Sequence, residues 1–439
     1  MDVTRIPKIE LHLHLDGAVP PETMWRMAQE KHVSLPVDTL DEFYAWLVKT
    51  ADCRDVNTYL ARFELPLQLM QDAPGITRIT CDVLTTLARQ GHIYDELRFA
   101  PQLHTRAGLR QQDAIEAVLA GREQALRAFP DYRCGILLCC MCIGPETANM
   151  AENLETVRLT QEYLGSGVVG MDLAGAEGIV PLRNFHPIFD LARELGLPFT
   201  CHAGDSQGPD TVRDALDFGA RRIGHGHHIF DDPSLWDEAI SRGVTLEICP
   251  TSNIQCKTQP SYAQHPAKKL LDAGLRVCIS TDNMTLAAVT LEDEYRHCVA
   301  DMGFAPDDLR TMARFALDAA FLPEQEKRLG NFKLKQIFEY FLTHPLPLWY
   351  TCRRGGGYHM LSEQELLEME RPVSARHAPM RRCDRAAQFA PFAALSGFGE
   401  AVQEAGRLAR ERIESAERSD KLPDDAFFDF DPDFMDGMP

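Results

Sequence analysis

Eight short apolar segments alternate with amphipathic segments of helical period through roughly the first 320 residues of the chain. Many of the helical segments end in glycine, a usual stop signal for a helix. Strands that alternate with helices predict a parallel sheet. The eight segments that read as buried strands are KIELHLHLDG, IYDELRFAPQLH, RCGILLCCMC, VVGMDLAG, LPFTCHAGD, RIGHGHH, TLEICPTSN and LRVCISTDN.

This number of strands favours closure of the sheet into an α/β fold, the (β/α)8 or TIM barrel. A doubly wound open sheet is the alternative, but no Gly-x-Gly-x-x-Gly motif follows a strand segment. The stretch from Pro20 to about Thr80 adds extra helical patterns after strand 1, and these are placed to form a lid over the barrel mouth. We expect the barrel domain to span residues 1–345.

The composition is that of a soluble globular protein, with 45% hydrophobic and 25% charged residues. No apolar run approaches the ~20 residues of a membrane span, and Pro7 argues against a signal peptide. A formal net charge of −20 disfavours nucleic acid and anionic membrane surfaces as partners of the barrel. Thirteen cysteines without a spaced framework predict reduced thiols and a cytoplasmic location.

Imidazoles and carboxylates gather near the C-terminal ends of the predicted strands, where barrel enzymes build their active sites. His12 and His14 lie two residues apart, so they project from the same face of the first strand. Alone, this pair fits either a shared metal ion or two half-buried histidines with water and carbonyl partners. The wider pattern favours the metal, because the same strand ends carry His12, His14, Asp16, Gly175, His202, Asp205, His225 and Asp282.

Three histidines and an aspartate suit zinc, which binds imidazole nitrogen and carboxylate oxygen and leaves one position for water. The ion would lower the pKa of that water toward ~7. Asp282 is predicted to be the carboxylate ligand or a base on the water, and His225 to hold the attacking hydroxide or to stabilise developing charge. Asp205 follows His202 by three residues and could donate a proton to the substrate if its pKa is raised.

Six motifs, in this order and spacing, resemble the adenosine deaminase family of zinc hydrolases, part of the amidohydrolase superfamily. They are LHLHLDGA, MDLAGAE, CHAGD, RIGHGHH, CPTSN and STDN, within about residues 5 to 322. The resemblance implies hydrolytic deamination of adenosine or 2′-deoxyadenosine to inosine or 2′-deoxyinosine plus ammonia, in purine salvage. It implies one Zn²⁺ per chain, held by His12, His14, His202 and Asp282.

The resemblance also assigns roles toward a purine nucleoside. His225 would orient the hydroxide, and Asp205 would shuttle a proton to N1 of the purine. Asp16 and His14 would lie near the ribose 5′-hydroxyl. The backbone N–H of Gly175 would meet N3, and Asn283 would face N7.

Two positions depart from the family pattern. Asp205 stands where the family usually has Glu, and the side chain is shorter by one methylene, or roughly 1.5 Å. Either catalysis is slower or the DSQGP loop is reshaped to compensate. Asn283 replaces a second carboxylate, and its amide donates a hydrogen bond to N7 at any pH.

Other functions remain open at this stage. Within the class, the substrate could be free adenine or an N6-substituted purine, although Asp16 gives a sugar hydroxyl its acceptor and so favours a nucleoside. From a different class, the shorter Asp205 is compatible with a weakly active barrel that binds nucleosides and signals through its C-terminal extension.

The sequence pattern changes past about Pro345, and we expect residues 346–439 to form a C-terminal extension that is poorly ordered in part. CRRGGGYHM reads as a linker, and the arginine-rich segment after it weakly resembles a YolD-like bacterial module. The extension ends in DDAFFDFDPDFMDGMP, whose phenylalanines suit a docking segment for a partner. The sequence assigns no role to this extension.

Overall fold

The computed structural model describes residue 3 and residues 6–53, 56–143 and 147–322. Eight parallel strands form two four-stranded sheets, in the orders β1-β2-β3-β4 and β5-β6-β7-β8. Each of the eight predicted strand segments matches one of these strands, although β2 begins one residue earlier, at His92. Their bounds are β1 Lys8–His14, β2 His92–Phe99, β3 Arg133–Cys142, β4 Val168–Gly175, β5 Thr200–Ala203, β6 Arg222–His225, β7 Thr245–Ile248 and β8 Arg276–Ile279.

Two isolated bridges join the sheets into a closed ring. Met171 in β4 pairs in parallel with Phe199, the residue before β5, and Leu13 in β1 pairs in parallel with Asp282, just past β8. The prediction of a (β/α)8 barrel is therefore confirmed, and the open-sheet alternative is excluded.

Helices cover the outside of the barrel, and the first five precede β2, which confirms the prediction of extra helices after strand 1. The described residues form α1 Pro21–Glu30, α2 Leu40–Ala51, α3 Val56–Leu60, α4 Glu64–Leu69, α5 Ala73–Arg89, α6 Gln111–Ala128, α7 Met150–Tyr163, α8 His186–Glu194, α9 Pro209–Phe218, α10 Trp236–Arg242, α11 Pro250–Gln255, α12 Ala267–Asp272, α13 Leu291–Ala300 and α14 Pro306–Ala319.

The helix α5 shows how the sequence builds this outer layer. Its apolar residues recur at helical spacing, so Ile76, Ile79, Val83 and Leu87 form one fully buried stripe. Asp72 caps the helix, because its carboxylate accepts a hydrogen bond from the backbone N–H of Gly75 at 2.8 Å.

The extra helices contact the loops that leave β7 and β8. Arg62 donates to the backbone carbonyl of Leu286, and Asp52 forms an ion pair with Lys257. The Tyr59 side chain is buried against Cys256. These contacts place the segment that contains α2 and α3 over the C-terminal end of the barrel, as the sequence predicted for a lid.

Every cysteine within the described residues is a free thiol. Cys139, Cys140 and Cys142 are buried along β3 and are absent from the clusters of metal-binding side chains found in that part of the chain. Across the same residues, no helix combines the length and apolar character required to cross a lipid bilayer.

The C-terminal predictions lie outside the described residues. These are the domain boundary at residue 345, the extension over residues 346–439 and the YolD-like resemblance.

Candidate active site

Four predicted metal ligands converge at the C-terminal end of the barrel. His12 and His14 project from β1, His202 from β5, and Asp282 follows β8. One ligand atom from each of the four lies within 4.8 Å of the others. Three separate stretches of the chain therefore deliver one donor set, because the ends of parallel strands meet at one face of the barrel.

The separations between these donors fit a tetrahedral ion. His14 Nε2 lies 3.3 Å from His202 Nε2. Asp282 Oδ1 lies 3.4 Å from Nε2 of both His12 and His14. A tetrahedron with ligand bonds of about 2.0–2.1 Å has edges of roughly 3.3–3.4 Å. The buried His12 Nε2 has no hydrogen-bond partner among the described residues, so it is free to bind an ion.

Carboxylates behind the histidines orient the rings. Glu247 Oε2 lies 2.9 Å from Nδ1 of His12, and Asp172 Oδ2 lies 3.0 Å from Nδ1 of His202. With the Nδ1–H of His12 donating to Glu247, the Nε2 lone pair of His12 faces the centre of the site. Burial also lowers the pKa of His12 and His14. Both rings are therefore neutral, as metal binding requires.

Arg98 holds these two carboxylates in place from the barrel interior. Its guanidinium donates to Asp172 Oδ2 at 2.7 Å and to Glu247 Oε2 at 2.8 Å, and all three side chains are fully buried. Although burial opposes ionisation, the contact with His202 and the charge of Arg98 hold the pKa of Asp172 well below its ordinary value. The pKa of Glu247 is lowered in the same way by Arg98 and Arg222.

Two of the predicted site residues adopt a strained backbone. His225 has a φ of 58° and Asp282 a φ of 62°, in the left-handed region that non-glycine residues rarely occupy. Such conformations concentrate at functional sites, where surrounding contacts enforce them. For Asp282 these contacts include Ser252, whose hydroxyl donates to Asp282 Oδ2 at 2.7 Å.

Asp205 and His225, the two predicted catalytic residues, lie side by side next to the donor set. Asp205 Oδ1 is 3.6 Å from His225 Nδ1, and the rings of His225 and His12 are 4.8 Å apart. The Asn253 amide donates to Asp205 Oδ1 at 2.8 Å and lies 3.1 Å from His225 Nδ1. Thr258 adds a second hydrogen bond to the same carboxylate oxygen at 3.2 Å.

The protonation states of this pair suit proton transfer at neutral pH. Burial, together with the charges of Glu177 and Asp282, raises the pKa of Asp205 to about 7. Burial lowers the pKa of His225 to about 4. Near neutrality, Asp205 therefore carries a transferable proton for part of the time, while His225 is an uncharged imidazole.

Three further predicted substrate-binding residues, Asp16, Gly175 and Asn283, lie at or just past the C-terminal ends of β1, β4 and β8. Asp16 is buried, and desolvation raises the pKa of its carboxyl to about 7. Asn283 is buried against the backbone of Gly17, where an added Cβ would lie 2.0 Å from Asn283 Oδ1. Gly175 has a φ of 111°, and a Cβ there would lie 2.6 Å from the carbonyl oxygen of Cys142. Any residue with a Cβ at position 175 would clash with Cys142 and strain the backbone, so this position requires glycine.

Sequence reasoning missed several contributors to the site. Asn253, in the CPTSN motif, contacts both predicted catalytic residues, and the hydroxyl of Tyr59 is buried close to Asn283 and Asp282. Arg98 was also missed, although an arginine in a strand segment that also carries Asp95 and Glu96 is a signal of buried ion pairs.

A closed parallel barrel with three histidines and an aspartate at the ends of strands 1, 5 and 8 defines a metal-dependent hydrolase. A family model described as Adenosine deaminase matches residues 7–331. The chain is 38% identical to the adenosine deaminase of Haemophilus ducreyi over 323 residues, 73% of this chain and 93% of that protein. It is 38% identical to that of Enterococcus faecalis over 338 residues, 76% of this chain and 98% of that protein.

The fold is also similar to that of a solved structure. The Arabidopsis N6-mAMP deaminase superposes with a TM-score of 0.66 at 28% identity, covering 77% of this chain and 98% of that chain. The chain belongs to the adenosine deaminase family, and it is an aminohydrolase.

Proposed function

We propose that this protein hydrolyses adenosine and 2′-deoxyadenosine to inosine and 2′-deoxyinosine, with release of ammonia, in purine salvage. The observation that carries the proposal is the position of Asp205 and His225 directly beside a four-donor cluster with tetrahedral spacing. The family membership and the two adenosine deaminases at 38% identity support it.

His12, His14, His202 and Asp282 would hold one Zn²⁺, as their donor types and spacing fit this ion. When bound, the ion supplies Lewis acidity that makes a water molecule nucleophilic at neutral pH. His225 would orient the attacking oxygen toward C6 of the purine through its neutral ring. Asp205 would donate its proton to N1, which makes C6 electrophilic and prepares the departure of the amino group as ammonia.

The remaining residues would position the nucleoside. Asn283 would donate to N7, and the backbone N–H of Gly175 to N3. Asp16 and His14 would face the 5′-hydroxyl. The Asp16 carboxyl would accept a hydrogen bond from this hydroxyl, which a free base lacks. These assignments follow the positions at which the chain matches the family motifs.

The cellular setting is also a proposal. Free thiols throughout the described residues support a cytoplasmic protein. The net charge of −20 supports a small-molecule substrate without nucleic acid or membrane partners for the barrel. No role is proposed for the C-terminal extension.

An N6-substituted purine is the second candidate substrate, supported by the similarity to the Arabidopsis N6-mAMP deaminase. An absorbance assay of the zinc-loaded protein decides between the candidates, with adenosine, 2′-deoxyadenosine, adenine, N6-methyladenosine and N6-methyl-AMP in parallel. We expect the highest kcat/KM for the first two. A kcat/KM for adenine or an N6-methylated substrate above that for adenosine would refute the proposal, and absence of turnover with all five would favour the nucleoside-binding barrel.

A further inference from the structure

One carboxylate outside the assigned site binds the whole loop that carries Asp205. Glu177 follows β4 by two residues, and its Oε1 accepts the backbone N–H of Gly204 at 2.7 Å. Its Oε2 accepts the N–H groups of Asp205 at 3.0 Å, Ser206 at 2.7 Å and Gln207 at 3.0 Å. Four successive backbone amides therefore converge on a single side chain.

This arrangement is a nest of backbone N–H groups around an anion, and here the anion belongs to the protein. Hydrogen bonds to an ionised carboxylate are stronger than those between neutral groups. Gly204 turns the chain with a φ of 64°, and its N–H also lies 2.9 Å from the Thr211 hydroxyl. The loop between β5 and α9 is thereby tied to the loop after β4.

The far end of the Asp205 side chain is held separately. Asn253 and Thr258 both donate to its Oδ1, at 2.8 and 3.2 Å. Glu177 fixes the backbone at one end, and these two residues fix the carboxylate at the other. An aspartate has only one methylene between backbone and carboxyl, so the backbone position determines where its proton is delivered.

We propose that Glu177 is a positioning residue for proton transfer, which sets the place of the Asp205 carboxyl by binding the backbone amides of residues 204–207. The proposal rests on the proposed function in one respect, that Asp205 delivers the proton. Glu177 acts through Asp205 and touches no reacting atom. A displacement of about 1 Å in such a group is enough to cost on the order of 100-fold in rate.

The first test measures the loop without any substrate. Glu177→Gln keeps the size of the side chain but removes its charge and one acceptor. In the metal-free protein, we expect amide hydrogen exchange at residues 204–207 to rise at least about tenfold over wild type. Asp214→Asn is the matched control, because Asp214 accepts the backbone N–H of Arg183 at 3.1 Å in a neighbouring loop. It should leave exchange at residues 204–207 unchanged.

The second test is a double-mutant cycle of Glu177→Gln with Asp205→Asn. In the wild-type background, Glu177→Gln should lower kcat about 10- to 100-fold with little change in KM or zinc content. In the Asp205→Asn background it should cause no further loss, because its effect passes through Asp205. Asp214→Asn should leave kcat unchanged.

Equal losses of kcat in both backgrounds would overturn the proposal, since they indicate a general structural role. Unchanged exchange at residues 204–207 would also overturn it. If Glu177→Gln does not fold, Glu177→Asp takes its place, with its carboxylate withdrawn by one methylene and the same outcomes expected. Failure of the proposed function would appear separately, because the wild-type protein would then prefer another substrate. The double-mutant cycle is in that case measured with the preferred substrate.

Discussion

Arg98 donates to Glu247 Oε2 at 2.8 Å, and the same oxygen lies 2.9 Å from His12 Nδ1. The fully buried carboxylate of Glu247 thus contacts both the guanidinium of Arg98 and His12, the first histidine of the predicted metal site. Because ligand orientation depends on such partners, we expect Glu247 to contribute to metal binding through His12.

Changing Glu247 should therefore weaken zinc binding. We expect Glu247→Gln to lower zinc affinity by about 10- to 100-fold, the usual cost of losing a partner behind a ligand histidine. Competition against a chelator of known affinity measures the change. Glu238→Gln, which alters a partly exposed ion pair with Arg213 on the outside of the barrel, is the matched control. Equal zinc affinity in the two variants would contradict the prediction.

The donor set itself predicts the metal content. We expect about one zinc per chain, and we expect His12→Ala, His14→Ala, His202→Ala and Asp282→Ala each to abolish turnover. Each change removes one vertex of the tetrahedral arrangement. Metal analysis alongside the activity assay provides the check, and activity that survives complete removal of zinc by chelation would rule out this assignment.

The strands could be predicted from the sequence because each has a local signature, and the resemblance to the family selected four donors among the imidazoles and carboxylates at the strand ends. His12 and His14 share a face through the two-residue period of a strand, and the ends of parallel strands meet by geometry alone. The contacts of Glu177 with residues 204–207 have no such signature, because they join loops about 30 residues apart. Asn253 reaches Asp205 across 48 residues in the same way. Tertiary packing decides both contacts.

The sugar contact proposed for Asp16 predicts a preference for an intact ribose. With 5′-deoxyadenosine, the buried carboxyl loses its partner, at a cost of ~1–3 kcal/mol or roughly 5- to 150-fold in kcat/KM. Steady-state kinetics with adenosine and 5′-deoxyadenosine measure the ratio. In Asp16→Asn the ratio should shrink, and equal efficiency of the wild type with both compounds would remove Asp16 from sugar recognition.

A buried histidine away from the metal site predicts how stability depends on pH. Burial lowers the pKa of His104 to about 4, and its Nδ1 lies 3.0 Å from the Met70 carbonyl. Between pH about 6.5 and about 4, the unfolded chain binds a proton at this position that the folded chain does not bind. Stability is therefore lost as the pH falls through this range, by up to about 3 kcal/mol from this residue.

The measurement is the drop in melting temperature of the metal-free protein between pH 7 and pH 5. His104→Gln cannot titrate, so its drop should be smaller than that of wild type. His186→Gln on the surface, where His186 pairs with Asp190, is the matched control. A drop as large in His104→Gln as in wild type would show that other groups govern the acid sensitivity.

The aspartate at position 205 gives the sharpest prediction, because the structure favours one of two opposite outcomes. Glu177 binds the backbone of the loop that carries Asp205. Asn253 and Thr258 hold the Asp205 carboxylate 3.6 Å from His225 Nδ1. From these contacts we expect that the loop compensates for the shorter side chain. A longer one would crowd His225 or lose its partners.

We therefore expect Asp205→Asn to lower kcat by several orders of magnitude with zinc content unchanged, since the amide has no proton of suitable acidity to give N1. Asp205→Glu should also be slower than wild type, even though glutamate is the usual family residue. Single-turnover rates with adenosine measure both variants, and their zinc content is the control for an intact site. A faster Asp205→Glu enzyme would mean that the loop has not adapted and that the wild type is a slow catalyst. Near-wild-type turnover by Asp205→Asn would remove this carboxyl from the mechanism.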